Sequence, residues 1–505
     1  MALDDKQNTT TESPKGVNVK DIIRAVRSCC ALPKELIKVV LAVCISVKLD
    51  LPSSLWLMIV GVPSSAKTDL VNFLRGSKLT YFIDTLTQNP FASGYVAPKG
   101  GKTYDLLPEL DNRCFVCKDF TTIFSLNDET VRKLLGELVS IYDGEFRKFS
   151  PTRGLKEYSA NFSHIGCITP SALNRHSRYM NIIGPRFMFY RIPKLSVVNS
   201  KKGFKIAWQT DRKIKLKKVQ ETTSLFLNQI SNNLKNKNIE VDFSDKEVKS
   251  RLEDLSIFTS KSRGIVVSQR QSFKNEEGKE IVYYEIIDHQ TEEPWRAFQQ
   301  LKGLAIALSL ISGTNKVSRE EINILKKVVF SSMPVQRAEA LECFKKESVL
   351  TARKLSILIK KSQRTCQRLL KELQFLGIVK VDDSDNSLAK EYRIRKRYAD
   401  LFIGNHPSEF VSSLGEELKN DFTTMIRMLL FKDLSLISDS DLGLYLKEIE
   451  KWLTDKTDRA GTEEYDFTHS IWEKVRKEMK KRQSESVKQD EFTDSDKRYI
   501  NQKLV

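Results

Sequence analysis

Leu55-Trp-Leu-Met-Ile-Val60-Gly61-Val-Pro-Ser-Ser-Ala66-Lys67-Thr68 is the stretch that decides the fold class. Its first six residues are a continuous apolar run, the mark of a strand buried on both faces. The run enters a Gly/Pro/Ser turn without a break, and from Lys67 an amphipathic helix follows with Leu70, Val71 and Leu74 on one side. The stretch matches G-x-x-x-x-G-K-[ST] at every fixed position except one, where Ala66 replaces the second Gly. The chemistry behind that pattern is a turn whose backbone N–H groups wrap phosphates at a helix N-terminus. A lysine reaches the outer phosphate oxygens and a hydroxyl holds Mg²⁺. The expected cradle is Gly61, Val62, Pro63, Ser64, Ser65, Ala66, Lys67 and Thr68, with ATP as the expected ligand and Thr68 on the Mg²⁺ ion.

Outward from this stretch, Tyr81–Ile83, Cys114–Cys117, His164–Thr169 and Arg186–Ile192 read as further strands, separated by helical segments such as Asp128–Tyr142. Strands alternating with helices describe an α/β domain with a parallel sheet. A metal-assisted phosphate site also needs an acid at the end of a neighbouring strand. Asp119, closing the run Cys114-Phe-Val-Cys-Lys-Asp119, fits that need. Phe120 stands where a water-polarising glutamate is expected, and Glu109 and Glu129 are both open as substitutes.

Eighty-three Lys+Arg against sixty-five Asp+Glu leave a net charge of +18. Such an excess points to a polyanionic partner, nucleic acid first and an anionic membrane surface second. The longest apolar stretch, Leu36 to Val47, is broken by Lys38 and too short to span a bilayer. Eight cysteines are too few for a disulfide scaffold in a chain this long, so a reducing, cytoplasmic location is expected. Cys114 and Cys117 form C-x-x-C, but residues three apart on a strand face opposite ways and cannot chelate one metal.

A second charge concentration lies toward the C-terminus. Residues 345–397 hold fifteen Lys/Arg against six Asp/Glu, half of the chain's whole excess. Thr351–Lys361 reads as a helix, and Ser362 is placed to cap the next, Gln363–Leu376, which Gly377 ends. Cys366, Leu369, Leu370, Leu373 and Leu376 form its apolar face. Arg364, Gln367, Arg368 and Lys371 lie opposite, donors suited to phosphates and base edges. A strand at Ile378–Val381, a turn at Asp382–Ser387 and a returning basic strand with Arg393, Arg395 and Arg397 complete a winged-helix pattern, expected to bind DNA. Tyr142-Asp-Gly-Glu-Phe-Arg-Lys-Phe149 reads either as a basic, aromatic hairpin tip, with Arg147 and Lys148 reaching nucleic acid, or as an ordinary helix-end turn.

The Ala-Lys-[ST] form of the loop resembles AAA+ helicases of the minichromosome-maintenance type, and further segments follow in the same order. His164-Ile-Gly-Cys-Ile-Thr169-Pro170 is similar to their sensor strand, with Thr169 in place of Asn. Ile183-Gly-Pro-Arg186-Phe187 resembles their Ser-Arg-Phe segment, whose arginine reaches a neighbouring subunit's ATP. Pro294-Trp-Arg296-Ala-Phe-Gln-Gln-Leu301 resembles their lid helix with its second sensor arginine. Lys118-Asp-Phe-Thr-Thr122 looks like MCM-related ATPases of phages and mobile elements. The resemblance covers about 55–330 and implies catalytic roles for Lys67, Asp119, Thr169, Arg186 and Arg296, with Mg²⁺ on Thr68 and Asp119. It also implies a hexameric ring of identical subunits.

The expected organisation is a disordered lead at 1–16, a helical segment at 17–50 and an AAA+ ATPase core at 51–200. A basic linker, insert and helical lid follow at 201–334, then a separate winged-helix module at 335–402 and a helical region with a charged tail at 403–505. The expected function is an ATP-driven DNA helicase or translocase serving replication of a phage or mobile element, with no membrane partner. An ATP-switched DNA-binding initiator or regulator, and an ATPase of a defence or maintenance system, remain open.

Overall fold

The computed structural model describes residues 17–402 except 88, 94–103, 176–183, 194–196, 237–239, 275–277, 279, 346 and 383–389. Beyond 402 it describes 446, 449–450, 453–454, 469–473 and 475–479. The expected lead at 1–16 and the turn at 383–387 lie outside the described residues. The chain divides into two units, 1–402 and 403–505.

The first unit is an α/β structure around a five-stranded parallel sheet. Its strands are β1 (Trp56–Val60), β2 (Thr80–Ile83), β3 (Cys114–Cys117), β6 (Ser163–Ile168) and β7 (Phe187–Arg191), in the order β2-β3-β6-β1-β7, while β4 (Glu145–Ser150) and β5 (Gly154–Ser159) pair as a hairpin outside it. Each expected strand is present within a residue or two of its expected ends. The arrangement is compatible with a P-loop fold. All five residues of β1 are buried, as the unbroken apolar run requires. Period-two alternation sends Leu57 and Ile59 into one core and Trp56, Met58 and Val60 into the other. Cys114 and Cys117 are likewise split between the two cores.

Against the Leu57 face packs α2 (Lys34–Ser46), buried at every residue from Leu36 to Ser46. Beside it lies α1 (Val19–Cys29), which opens on a capping box between Asn18 and Asp21. Helices at Arg212–Asn236, Lys246–Ser262, Pro294–Ile311 and Arg319–Ser332 form a layer continuous with this core. The last covers edge strand β7, where Phe189 N–H donates to Ser332 Oγ at 3.0 Å. The Arg191 guanidinium donates to the Ser331 and Met333 carbonyls at the end of that helix, a favourable place for a cation. The basic stretch 201–218 is helical over Val197–Ala207 and from Arg212 onward. The expected charged insert is an antiparallel ribbon, Ile265–Lys274 paired with Glu280–Gln290.

Residues 335–402 fold as helices at Val335–Cys343, Ala352–Ile359, Gln363–Phe375 and Lys396–Phe402 around a small antiparallel sheet. Its strands are Val349–Leu350, Val379–Asp382 and Glu391–Ile394, the last in the middle. This region packs closely against the helices that precede it. Arg337, 6% exposed, donates to the carbonyls of Ser262 and Gly264 at 3.1 and 2.6 Å, while Phe258 meets Tyr398 at 5.4 Å between ring centres. One apolar core runs through both.

In the second unit the described residues are helical, with Ile449, Leu453, Ile471 and Val475 buried. Trp472 Nε1 donates to Glu450 at 3.1 Å and carries the Arg476 guanidinium over its ring.

Candidate functional site

In parallel sheets, ligands bind outside the carboxyl ends of the strands where the strand order reverses. Here the reversal falls at β1, with β6 on one side and β7 on the other. Gly61, the first residue beyond β1, donates its N–H to the Ile168 carbonyl at 3.1 Å, closing the loop against β6. An added Cβ at Gly61 would lie 2.4 Å from Ser65 Oγ, so Ser65 would have to turn aside to admit a side chain. Ser64 and Ala66 both adopt left-handed backbone, φ 61° and 60°. Ala66 therefore takes the conformation that the second motif glycine would supply, with a Cβ attached.

The helix from Lys67 to Asn72 begins with no side-chain cap, leaving first-turn N–H groups facing the loop. Lys67 Nζ folds across that loop and donates to the carbonyls of Gly61 and Val62, each at 2.8 Å. Partial burial lowers the Lys67 pKa, while Cys167 and Asp119 act in the opposite sense. Asp119 thus lies within electrostatic reach of the loop's cation. A cation, a hydroxyl and backbone N–H groups converge here in a geometry suited to an anion.

The ends of three adjacent strands supply the rest. Asp119, exposed beyond β3, is fixed by the Thr121 N–H, which donates to its Oδ1 at 3.0 Å. Lys118 turns aside to Asp84 beyond β2 at 2.8 Å. Thr169, beyond β6, stands between Asp119 and the loop, and its Oγ1 accepts from Ala172 N–H at 3.3 Å. A threonine hydroxyl can serve there as helix cap, as asparagine does. Phe120 is 1% exposed, with its ring 5.7 Å from His164 and 6.2 Å from Phe187, so its position is structural. Glu109 precedes β3 at the opposite end of the sheet, where it pairs with Arg113 at 3.8 Å. Glu129 begins the helix Asp128–Tyr142 on the carboxyl side and is exposed, which leaves it as the better placed of the two.

Arg186 and Arg296 stand elsewhere. Phe187 is in register with Trp56, so Arg186 lies at the amino ends of the strands. The full length of β1 separates that level from the loop, about 16 Å at 3.3 Å per residue. Arg186 pairs with Asp143 at 3.5 Å and lies over the Tyr142 ring, and its carbonyl accepts from Gln300 at 2.9 Å. Arg296, one turn before Gln300, shares this cluster with Arg263, Glu292 and Tyr142. Arg263 Nη1 stands 3.7 Å from Glu292, too far for a hydrogen bond, and both Glu292 oxygens are buried without donors. Burial raises the Glu292 pKa to about 7, against the opposing pull of Arg263 and Arg296. Arg186 and Arg296 were marked by the resemblance, but Tyr142, Asp143, Arg263, Glu292 and Gln300 escaped sequence reading because each looks ordinary singly and they come from separate segments.

On the helix Gln363–Phe375, Cys366, Leu369, Leu370 and Leu373 are buried, and Arg364, Gln367 and Lys371 are exposed as expected. Arg368 is partly drawn in by Glu372, with Nε at 3.5 Å from a carboxylate that also faces Arg337. Arg393 and Arg395 are exposed on and just after the returning strand. Arg397 instead binds Asp254 at 2.7 Å, tying the region to the preceding helices.

The segment after Tyr142 is a hairpin, Glu145–Ser150 paired with Gly154–Ser159. Phe149 and Leu155 face each other near its tip, 72% and 59% exposed. Arg147 is exposed, but Lys148 points inward to Glu137 at 2.7 Å and to the Ala92 carbonyl at 2.8 Å. Arg153, in the turn, binds both oxygens of Asp105 at 2.8 Å, so Lys148 holds the middle of the hairpin and Arg153 its tip.

Among the described residues no cluster of His, Cys, Asp and Glu suits a metal ion held by protein alone, and no helix is long and apolar enough to cross a membrane. No protein-family model matches the chain, and neither does any curated protein.

Proposed function

We propose that the chain is an ATP-dependent DNA helicase or translocase of AAA+ type, working as a ring of identical subunits, with the region 335–402 as a winged-helix contact to DNA. One observation carries the reading. The cradle, Asp119 and Thr169 share the carboxyl end of the sheet, while Arg186 and Arg296 share the other end about 16 Å away. Those arginines cannot serve a nucleotide on their own chain. A neighbour presenting its amino end to this cradle would bring them to it, which is the logic of a finger supplied in trans. Arg186 has to leave Asp143 to make that reach.

Thr68 and Asp119 offer hard oxygen donors, both exposed, and fit Mg²⁺, which keeps several waters and takes few protein ligands. When bound, the ion would draw charge from the β- and γ-phosphate oxygens. Lys67 would turn from its own loop carbonyls to the phosphates, and Thr169 would hold its position through its cap. The hairpin 145–159, held in place by Lys148 and Arg153, turns Phe149 and Leu155 outward, which suits a surface that touches a nucleic-acid strand. The helix ending in Phe375 presents Arg364 and Lys371 to a DNA backbone.

A second reading, an ATP-switched DNA-binding initiator, draws on Phe120, which fills the core and cannot polarise a water molecule. Strand displacement decides between them. With ATP and a forked duplex, the wild type should separate strands and Lys67→Ala should lose both nucleotide affinity and turnover. Near-normal ATP affinity in Lys67→Ala would overturn the nucleotide assignment. Hydrolysis without displacement, and without rings in electron micrographs, would favour the initiator.

A further inference from the structure

We propose that the groove between α1, the start of α2 and the start of the helix Arg319–Ser332 holds a nucleic-acid phosphate backbone, as a contact distinct from the helix at 363–375. The groove encloses about 530 Å³, and Lys20, Arg24, Arg27, Lys34 and Lys38 line it with a single carboxylate, Glu320. On α1 the cations fall at intervals of four and three, one stripe on the face opposite buried Val19, Ile22, Val26 and Cys29. Lys34 and Lys38 add two more, one turn apart on α2.

Local carboxylates do not neutralise this surface. Glu320 is taken by Lys38, which is 8% exposed and donates to it at 2.7 Å. Arg24 makes one contact, to Asp21 at 3.5 Å, with its side chain 82% exposed. Lys20, Arg27 and Lys34 are exposed and have no carboxylate within ion-pair distance among the described residues. Cations crowded together repel one another, and a polyanion removes that repulsion while releasing its own counterions.

The lining chooses among polyanions. No aromatic ring lines the groove, so it lacks a platform for stacked bases and suits a backbone instead. The stripe from Lys20 to Arg27 runs about 10 Å along the helix, close to the axial rise of three nucleotides in one strand. Its one apolar lining residue, Ile23, is half-buried, so α1 offers no apolar face for insertion into a membrane.

The inference rests on the proposed function only in taking nucleic acid as the partner. The test is a salt titration of the full chain on labelled duplex DNA, comparing wild type, Lys20→Ala/Arg24→Ala/Arg27→Ala, and Arg364→Ala/Lys371→Ala. Each lost phosphate contact flattens the slope of log K against log salt by ~0.9, so the groove variant should flatten it by up to ~2.7. Combining the two sets should add their effects, since the sites are separate. Circular dichroism and melting report folding, and should the triple variant misfold, Arg27→Ala alone should flatten the slope by ~0.9. A groove variant with the wild-type slope, beside a helix variant with a reduced one, overturns the groove and spares the proposed function. A wild type with no DNA affinity overturns both. Groove-dependent binding to phosphatidylserine vesicles, with DNA affinity unchanged, also overturns it.

Discussion

The two ends of the parallel sheet carry charges of similar number and opposite condition. At the carboxyl end Thr68 and Asp119 are exposed, and Lys67 touches only carbonyls and a hydroxyl of its own loop. At the amino end Arg186 faces Asp143, Arg263 faces Glu292, and Gln300 ties Tyr142 to the Pro185 and Arg186 carbonyls. One end leaves its charges for an outsider and the other turns them toward each other. The difference bears on how a neighbour would work. At the cradle Lys67 would give up only carbonyls of its own loop, whereas an arginine held by a carboxylate must exchange that partner for a stronger one, and a triphosphate is stronger than an exposed aspartate.

The largest effect expected from this contrast is at Arg186. Fingers supplied in trans are worth ~10³–10⁵ in rate, so Arg186→Ala should nearly abolish turnover while ATP binding persists. Mixed with Lys67→Ala subunits, it should partly recover, because some interfaces then pair an intact cradle with an intact finger. Full activity in Arg186→Ala would break the comparison by making the amino end merely structural. Absence of recovery despite confirmed subunit exchange would do the same to the intersubunit reading.

The helix Gln363–Phe375 repeats the contrast along one face. Arg364 and Lys371 are exposed, while Arg368 is drawn toward Glu372. Replacing Arg364 and Lys371 with Ala should flatten the salt slope of duplex binding by up to ~1.8, and Arg368→Ala should contribute much less than its share of ~0.9. Equal effects from all three would mean that Glu372 releases Arg368 on binding.

What could be read in the chain beforehand follows the same line. β1, β3, β6 and the apolar face of the helix at 363–375 were legible because periodicity and turn residues are local signals. So was the cradle, whose eight residues are contiguous. Asp119 was legible through its strand end, and Thr169 through the resemblance of its segment to a sensor strand. The amino-end cluster was not: Tyr142, Glu292 and Gln300 meet across some 150 residues, and nothing local marks them. Charge counts also could not tell free cations from spent ones. Arg397 and Lys148 looked like Arg364, yet Asp254 and Glu137 hold them.

Glu292 offers a pH test of the buried end. Its folded pKa of about 7 lies above the usual 4.5, so the folded state holds an extra proton between those values. The stability that this proton confers is present at the acid side and is lost as pH rises through 7. Glu292→Gln mimics the protonated carboxyl. It should match wild type in urea unfolding near pH 4 and exceed it at pH 8, by on the order of 2 kcal/mol. A variant weaker than wild type at both pH values would show that Arg263 and Arg296 stabilise an ionised Glu292.

The smallest effect concerns the open end, at the one position that departs from the loop pattern. Ala66 carries a Cβ in left-handed backbone, which costs ~1–2 kcal/mol. Ala66→Gly removes that cost but gives the unfolded chain more freedom, worth ~0.4–1 kcal/mol. The balance favours the variant, by roughly 0.5–1 kcal/mol in denaturant unfolding. Ala66→Val places a branched side chain in the same conformation and should destabilise the loop and weaken nucleotide binding together. The pair separates two origins of the alanine. If the loop keeps its shape only through the surrounding contacts, such as Gly61 N–H to Ile168, glycine relaxes it and ATP affinity is kept or rises. If Ala66→Gly is less stable than wild type, the left-handed conformation is not strained there, and the open end owes its readiness to something other than a backbone held against its preference.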